Sequence, residues 1–487
     1  MSSSAASSSR TSYTDDPLTM ALLPPKDESP TDRSARLHAE EEAKRISDRI
    51  DEELKKERAA RKKQREREVK VLLLGQSESG KSTCLQQFAL MYSPNAFQAE
   101  CISWRPVVYF NLVRSIRRIL EAILEPPTSA STDDLNEASS GRRSKSPASP
   151  ANRFRELQMR LSPLLQVEES LIRKLAPEDE DEPTHLGEWR TVGESGTREY
   201  FINSASWKKA LGKITNGKRP SAESSTSSLS SGSTSEDRSD PYYILQTFRD
   251  DMISLWTDPE VRQILQEKNV RLQDSPGFFL NDITRITARK YVPTAQDVLN
   301  ARLKTVGIIE HHFALDRGAE RGTDWKFYDV GGARNQRHTW VPFFDDVNAI
   351  IFLAPISAFD QSLVEDPRIN RIEDSFLLFK AICSNKLLHN VSIVLFLNKC
   401  DLLRAKLEAG VPVNKYIISY GDRPNDYTNV SQYFRTKFGS LHHELSPPNR
   451  ELYIHLTSVN DTESTRSILV NVRDTIIKRN LQASSLI

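Results

Sequence analysis

Cysteines are scarce in this chain, and none stands at the spacing of a metal or redox pair. Its 487 residues include only Cys84, Cys101, Cys383 and Cys400, and no C-x-x-C motif occurs. This pattern excludes a disulfide framework and a cysteine-rich zinc site, and it is typical of a protein from a reducing compartment.

Long hydrophobic runs and an excess of one charge are also missing. The longest apolar run, around Ala349 to Ile356, is far shorter than the roughly 18 residues of a membrane span and fits a buried strand. Residues Met1 to Ser9 carry no apolar segment of a secretory signal. With 67 basic and 66 acidic residues, a nucleic-acid partner is not expected. We therefore expect a cytoplasmic protein.

Apolar residues make up 38% of the chain, less than the roughly 45–50% of ordinary domains, which indicates polar tails or inserts. Residues 1–39 predict a disordered tail, and polar inserts are expected near 126–152 and 221–240. In the second insert, nine of the sixteen residues 221–236 are serine. Neither segment has enough apolar surface to form a core.

Residues 40–68 predict a strongly charged N-terminal helix. Ala43, Ile46, Ile50 and Leu54 form a thin apolar stripe at helical spacing. A stripe this thin supports no core by itself. Two interpretations stay open, a solvated helix and a helix that docks on a partner.

Strands and helices alternate after a first apolar run. Strand-like runs occur at 69–74, 326–330, 349–355, 391–397 and 452–456, with helical stretches near 372–384 and 465–481. Such alternation predicts an α/β fold with a parallel sheet.

A glycine-rich loop follows the first strand-like run. Its sequence, G-Q-S-E-S-G-K-S, matches G-x-x-x-x-G-K-[ST] and stands between a strand and a helix. In such a loop backbone N–H groups surround a phosphate chain, Lys81 reaches the β- and γ-phosphates, and the Ser82 hydroxyl binds Mg²⁺. We assign to nucleotide binding Gly75, Glu78, Ser79, Gly80, Lys81, Ser82 and Thr83.

Two further motifs follow later strands in the same order along the chain. In D-V-G-G, Asp329 stands where a strand ends and suits Mg²⁺, while the Gly332 N–H suits a γ-phosphate. In N-K-C-D, Asp401 suits two hydrogen bonds from guanine, Lys399 covers the base and Asn398 ties this loop to the phosphate loop. Together the three motifs favour a guanine nucleotide over an adenine nucleotide.

On these motifs the chain resembles the α subunits of heterotrimeric G proteins, of the fungal kind with inserts. The resemblance covers roughly residues 40–125 and 240–487. Besides the three motifs it rests on W-R-P-V-V-Y-F-N from Trp104, on Y-V-P-T-A-Q-D-V-L-N-A-R-L-K-T from Tyr291 and on W-V-P-F-F-D-D-V-N from Trp340.

The resemblance implies a Ras-like P-loop GTPase domain at 69–100 and 301–487, interrupted by an all-helical domain at 101–300. It implies that Arg302 is an arginine finger, that Glu78 pairs with it, and that Thr305 binds Mg²⁺ with Ser82 and Asp329. It also implies nucleotide contacts at Asp274, Ser275, Leu299 and Val459.

Two departures from the family pattern fall at the hydrolytic centre. Ala333 stands where the family has the glutamine that orients the attacking water, and Ser77 replaces a glycine of the phosphate loop. Hydrolysis is therefore expected to be slow. Gln336 follows three residues after Ala333, but the D-V-G-G spacing favours Ala333 as the water position.

The resemblance further implies a β/γ dimer, a G protein-coupled receptor at the C-terminus and an effector whose nature stays open. Ser2 stands where myristoylation needs glycine, so attachment to the plasma membrane is expected through partners. We retain three hypotheses: a GTP/GDP switch with slow GTPase activity, a nucleotide-loaded scaffold with negligible hydrolysis, and, least favoured, a P-loop kinase or ATPase.

Overall fold

The computed structural model describes residues 29–124, 150–175, 240–268, 270–273, 277–303, 305, 307–314, 324–345, 347–363 and 365–483. The chain divides into two units, residues 1–67 and 68–487. The predicted insert at 221–240 therefore falls, except for Asp240, outside the described residues, as do most of 126–152 and the tail up to residue 28.

The first unit contributes one long helix, α1 (Pro30–Arg67), of 38 residues. It begins ten residues before the predicted start at residue 40. Proline suits the first turn of a helix. The backbone N–H groups there have no partner within the helix, so the N–H that proline lacks is not needed. Leu37, Ile46, Ile50 and Leu54 on this helix are 43–50% exposed.

The second unit contains a sheet that has six strands within the described residues, in the order β2-β3-β1-β4-β5-β6. Neighbouring strands are parallel except β2, which runs antiparallel to β3 at one edge. The strands are β1 (Glu68–Gly75), β2 (Ile308–Ala314), β3 (Asp324–Val330), β4 (Ala349–Pro355), β5 (Ser392–Asn398) and β6 (Leu452–Leu456).

The sheet positions the motifs. Strands β1, β3 and β5 carry the phosphate loop, D-V-G-G and N-K-C-D at their carboxyl ends, which meet at one edge. The strand order reverses at β1, which lies between β3 and β4, and ligands of open parallel sheets bind beyond such a point.

Apolar side chains cover both faces of this sheet. Because successive side chains on a strand point to opposite faces, Leu72 and Leu74 of β1 join one buried cluster, and Val71 and Leu73 join the other. The helices that accompany the sheet are α2 (Lys81–Tyr92), α12 (Arg371–Cys383), α13 (Cys400–Glu408), α14 (Tyr427–Leu445) and α15 (Thr462–Ala483).

A third cluster of apolar side chains is formed almost entirely by helices and runs from Phe97 to Val298. Its centre is α4, which contributes Val107, Leu112 and Ile116 at 0–1% exposure. The helices of this part are α3 (Pro94–Cys101), α4 (Arg105–Leu124), α5 (Pro150–Leu161), α6 (Pro163–Leu175), α7 (Pro241–Thr247), α8 (Arg249–Thr257), α9 (Pro259–Glu267), α10 (Ile283–Ile286) and α11 (Ala295–Asn300).

Helices α5 and α6 belong to this helical core, although they lie outside the ranges 40–125 and 240–487 of the family resemblance. Leu161, Leu164 and Leu171 are at most 3% exposed and join the same cluster. Glu168 on α6 is also buried and pairs with Arg117 of α4 at 3.0 Å.

No helix within the described ranges is both long enough and apolar enough to cross a membrane.

Candidate functional site

The phosphate loop between β1 and α2 is shaped by two glycines. Gly75 has φ +144° and Gly80 has φ +101°, backbone conformations that favour glycine. A Cβ at Gly75 would also strike the carbonyl of Leu353. These two positions therefore demand glycine for steric reasons as well as for the turn.

Lys81 bonds the backbone of the phosphate loop. Its Nζ donates to the carbonyl oxygens of Gly75 at 3.0 Å and Gln76 at 2.7 Å. Burial lowers the pKa of Lys81 to about 8, although the nearby Asp329 carboxylate opposes the change. The hydrogen bonds of this buried ammonium go to backbone carbonyls, so a bound anion would give it a directly bonded charged partner.

Three oxygen-bearing side chains meet beside the loop. The Ser82 hydroxyl donates to Asp329 Oδ2 at 2.6 Å and lies 3.0 Å from the Thr305 hydroxyl, which itself donates to Asp329 at 3.3 Å. Burial raises the pKa of the Asp329 carboxyl. Its second oxygen, Oδ1, is buried and has no hydrogen-bond partner among the described residues.

This oxygen set fits Mg²⁺, which prefers oxygen ligands and binds through one or two carboxylates with phosphates and waters. No group of three or more histidine, cysteine and acidic side chains gathers within the described residues. The set of one carboxylate and two hydroxyls thus matches a metal bound together with a phosphate, and the unpartnered Oδ1 of Asp329 favours that interpretation.

The D-V-G-G segment packs against the phosphate loop. A Cβ at Gly332 would collide with the backbone of Gln76 and Ser77. Ala333 is buried at 4% exposure and directly precedes a 3₁₀ segment, Arg334–Phe343. The indole of Trp340 in that segment donates to the Gly331 carbonyl at 3.0 Å, so this tryptophan reports on the position of the glycines.

Arg302 approaches the cleft from the connection between α11 and β2. Its guanidinium forms an ion pair with Glu78, the pairing that the resemblance implies. Asn111 of α4 holds the Arg302 backbone, because its carboxamide accepts from Arg302 N–H at 2.6 Å and donates to Arg302 C=O at 3.0 Å. The helical part therefore positions the arginine.

Asn398 joins three loops at the carboxyl end of β5. Its side-chain amide donates to Ser79 C=O at 2.8 Å, and its oxygen accepts from the Thr457 hydroxyl at 3.1 Å and from Val459 N–H at 3.2 Å. Asn398 is fully buried. It thus ties the N-K-C-D motif to the phosphate loop, as expected, and also to the loop after β6.

Lys399 and Asp401 of the N-K-C-D motif line the cleft. Lys399 has φ +64°, and burial lowers its pKa to about 8. Asp401 is exposed, and its backbone N–H donates to the Ser458 hydroxyl at 3.0 Å. Its carboxylate is thus available at the cleft rim.

These elements enclose a cavity of about 440 Å³. Most residues that the sequence assigns to the site line it: Glu78, Gly80, Lys81, Ser82, Thr83, Leu299, Arg302, Thr305, Asp329, Gly332, Ala333, Asn398, Lys399, Asp401 and Val459. Gly75 and Ser79 belong to the loop but not to the cavity wall. Asp274 and Ser275 lie outside the described residues.

Sequence reasoning missed Arg371 on α12. Its guanidinium bonds Glu78 at 3.2 Å and the Ser77 carbonyl at 2.7 Å. Arg371 and Glu78 are 293 residues apart in the chain, and no local motif marks such a partner. It adds a second cation to the glutamate that pairs with Arg302.

Sequence reasoning also missed how the 3₁₀ segment is held. Gln76 donates to Asp374 at 2.5 Å, and Arg337 donates to the same carboxylate at 2.5 Å. Gln336 lines the cavity, although the D-V-G-G spacing argues against a role for it there.

Comparisons with known proteins agree with this geometry. The family model described as "G-protein alpha subunit" matches residues 44–476. The chain is 33% identical to the guanine nucleotide-binding protein alpha-4 subunit of Mycosarcoma maydis, over 97% of this chain and 96% of that protein. It is 30% identical to the alpha-2 subunit of Neurospora crassa, over 88% of this chain and 94% of the relative.

Proposed function

We propose that this chain, which belongs to the G-protein α-subunit family, is a GTP/GDP switch that binds Mg²⁺ with its nucleotide and hydrolyses GTP slowly. The observation that carries the proposal is the convergence of three motifs on one cavity, held together by Asn398. Guanine nucleotide binding is the property of the family; Mg²⁺, the rate and the residue roles are the proposal.

Base recognition is assigned to the loops after β5 and β6. The Asp401 carboxylate accepts two hydrogen bonds from the N1–H and the exocyclic amine of guanine, which adenine does not offer. The backbone N–H of Val459 already donates to Asn398, so that loop is held close to the base. Asn460, where the family has threonine, is exposed at the cavity rim.

Phosphate binding is assigned to the loop after β1 and to Lys81. A bound phosphate chain gives the Lys81 ammonium the anionic partner that the two loop carbonyls do not supply. Ser82, Thr305 and Asp329 would hold Mg²⁺, which neutralises phosphate charge when bound. The hydrogen bond from Gln76 to Asp374 joins the phosphate loop to α12.

Charge stabilisation and water positioning are separated in this protein. Arg302 supplies a guanidinium for the charge that develops on the γ-phosphate, and Glu78 and Asn111 hold it in place before substrate binds. The methyl side chain of Ala333 cannot hold a water. Turnover should therefore be slower than with a glutamine at position 333.

A nucleotide-loaded scaffold with negligible hydrolysis is the second candidate, because Ala333 and Ser77 both depart from the family pattern. Single-turnover hydrolysis, measured with and without a GTPase-activating protein, separates the two candidates. A switch converts its bound GTP within the experiment, whereas a scaffold retains it.

Partners are assigned by family and by surface. The α subunits of this family act with β/γ dimers, and we assign α1 as the docking helix. A receptor would bind the C-terminus, whose last residues 484–487 lie outside the described part of the chain. Membrane attachment through these partners would place the protein at the inner face of the plasma membrane.

Competition binding tests the proposal. Purified protein should carry GDP or GTP, and excess GTP but not ATP should displace it. Asp401→Ala should lower GTP affinity by about 2–5 kcal/mol, the cost of losing a buried charged contact, while Asp422→Ala, which removes an exposed carboxylate outside the cavity lining, should change nothing. Unchanged selectivity in Asp401→Ala would refute the assignment of the base site.

A further inference from the structure

We propose that Gln336 orients the attacking water in this protein, in the role that Ala333 has lost. The inference rests on the proposed GTPase function and concerns only how hydrolysis proceeds. It starts from the placement of Gln336 on the cavity wall beside Ala333.

Gln336 lies in the first turn of the 3₁₀ segment Arg334–Phe343, and Ala333 directly precedes that segment as its N-cap. The Gln336 N–H donates to the Ala333 carbonyl at 3.0 Å, which closes this turn and keeps the two residues close together on the cavity wall. The short side chain of Ala333 leaves space that a longer side chain at position 333 would fill.

Another side of the 3₁₀ segment is held by ion pairs to α12. Arg334 and Arg337 both reach Asp374 on α12, at 3.4 Å and 2.5 Å. Residues 334 and 337 are three apart and lie on one side of the 3₁₀ segment. Their shared contact with Asp374 leaves Gln336 on a different side, which lines the cavity.

The carboxamide of Gln336 lies against the glycines of D-V-G-G. A Cβ added to Gly331 would collide with Gln336 Oε1, and the same point is 3.2 Å from the Thr305 carbonyl oxygen. Two acceptor oxygens therefore approach Gly331 together. Within the described residues the Gln336 carboxamide makes no hydrogen bond, so it is available to a water.

Two acceptors are what hydrolysis needs at this place. The water donates its two O–H groups to Gln336 Oε1 and to the Thr305 carbonyl, which aims an oxygen lone pair at the γ-phosphorus. A bond forms from the water oxygen to phosphorus while the bond to the β–γ bridging oxygen breaks, with its electron pair leaving on GDP. One water proton stays on the attacking oxygen and the other passes to an oxygen of the γ-phosphate, so GTP plus water gives GDP plus dihydrogen phosphate.

Single-turnover GTP hydrolysis tests this. Gln336→Leu should slow hydrolysis on the order of 10–100-fold, the usual cost of a mispositioned reactant, without change in GTP affinity. Asn335→Leu, at the exposed neighbouring position, is the matched control and should hydrolyse at the parent rate.

Measurements in the Ala333→Gln variant separate the positioning of the water from an effect on folding. Ala333→Gln should raise the rate, and more so with Ser77→Gly, because water is then oriented from position 333. In the Ala333→Gln background, Gln336→Leu should change the rate by less than about threefold, since the two glutamines replace each other.

Three results would overturn the inference: an unchanged rate in Gln336→Leu, an equal loss in both backgrounds, or no hydrolysis by the parent protein while GTP stays bound. Each leaves guanine binding intact. Failure of the proposed function looks different, because then no variant binds GTP at all.

Discussion

Lys81 is a residue whose charge depends on what occupies the cavity. Its pKa, lowered by burial to about 8, should rise when a phosphate chain becomes its partner. At pH 8.5 the nucleotide-free protein should therefore take up roughly three quarters of a proton on binding GDP, and at pH 7 only about a tenth. GDP affinity should fall as the pH rises through 8.

Calorimetry in buffers of different ionisation enthalpy measures this proton uptake. Omitting Mg²⁺ keeps proton release by Asp329 out of the measured proton uptake, and the titration at pH 7 is the internal control. Equal uptake at both pH values would show that Lys81 does not meet the phosphates. The pH dependence of folding has the opposite sign. Between about pH 8 and 10.5 the unfolded chain keeps the Lys81 proton and the folded protein has lost it. The free energy of unfolding therefore rises with pH in this window.

At the residue scale, the sequence predicts contacts that lie within a motif but not partners distant in the chain. Local spacing predicts roles for Gly75 to Thr83, and Glu78 and Gly80 to Thr83 line the cavity. Arg371 and Asp374 reach the loop only because α12 packs beside it. Gln336 was discounted from spacing alone, since the 3₁₀ turn that brings it beside Ala333 leaves no mark in the motif.

At the element scale, Asn398 links the ends of β5, β6 and the phosphate loop. Asn398→Ala leaves the Ser79 carbonyl and the Val459 N–H without this partner in a buried place, so nucleotide-free protein should lose about 2–4 kcal/mol of unfolding free energy. Asn460→Ala, in the same cavity wall but exposed, should lose less than about 0.5 kcal/mol.

Denaturant titration gives both values. Equal stability of the two variants would mean that the three loops hold together without Asn398.

Helix α1 presents its apolar stripe to solvent. Ile46 and Ile50 are 43% and 49% exposed, an unusual state for side chains of this size in a row on one helix face. Deleting residues 1–60, or replacing Ile46→Asp with Ile50→Asp in the full chain, should abolish co-purification with a β/γ dimer. Asp48→Ala with Glu52→Ala, on the opposite face, should leave it unchanged.

Pull-down with a tagged β subunit reads this out. Retained capture of the Ile46→Asp, Ile50→Asp protein would remove α1 from the interface.

Secondary structure was predictable where burial on both faces makes a continuous apolar run. The runs at 349–355 and 452–456 match β4 and β6 residue for residue. β2, which contains Glu310, His311 and His312, was missed because an edge strand tolerates polar side chains. The start of α1 was placed too late, because a charged helix without a packed face has no apolar period to mark its first turns.

At the scale of the whole molecule, the predicted fold is confirmed: a Ras-like GTPase domain with an inserted helical domain. The sheet runs from Glu68 in β1 to Leu456 in β6, and the helical cluster runs from Phe97 to Val298. Helices α5 and α6, which lie outside the ranges of the family resemblance drawn from the sequence, also bury leucines in that cluster. The family model spans them, because it matches residues 44–476.

The serine-rich insert near 221–240 should be dispensable for nucleotide binding. Its last residue must stay, because Asp240 caps α7 through Tyr242 N–H at 3.0 Å and pairs with Arg105 at 2.7 Å. Deleting residues 221–239 should leave GTP affinity within about twofold of the parent, whereas extending the deletion through Asp240 should also lower thermal stability. A large loss of affinity in the shorter deletion would place the insert in the nucleotide site.

The most direct test of the central claim is the fluorescence of Trp340 when GDP is exchanged for a non-hydrolysable GTP analogue with Mg²⁺. Trp340 is 2% exposed and bonds the Gly331 carbonyl, so a γ-phosphate that engages Gly332 should change its emission. Trp340→Phe identifies the signal among the six tryptophans. We predict a change with the GTP analogue and none with the ATP analogue; the same emission with GDP and the GTP analogue would contradict a switch.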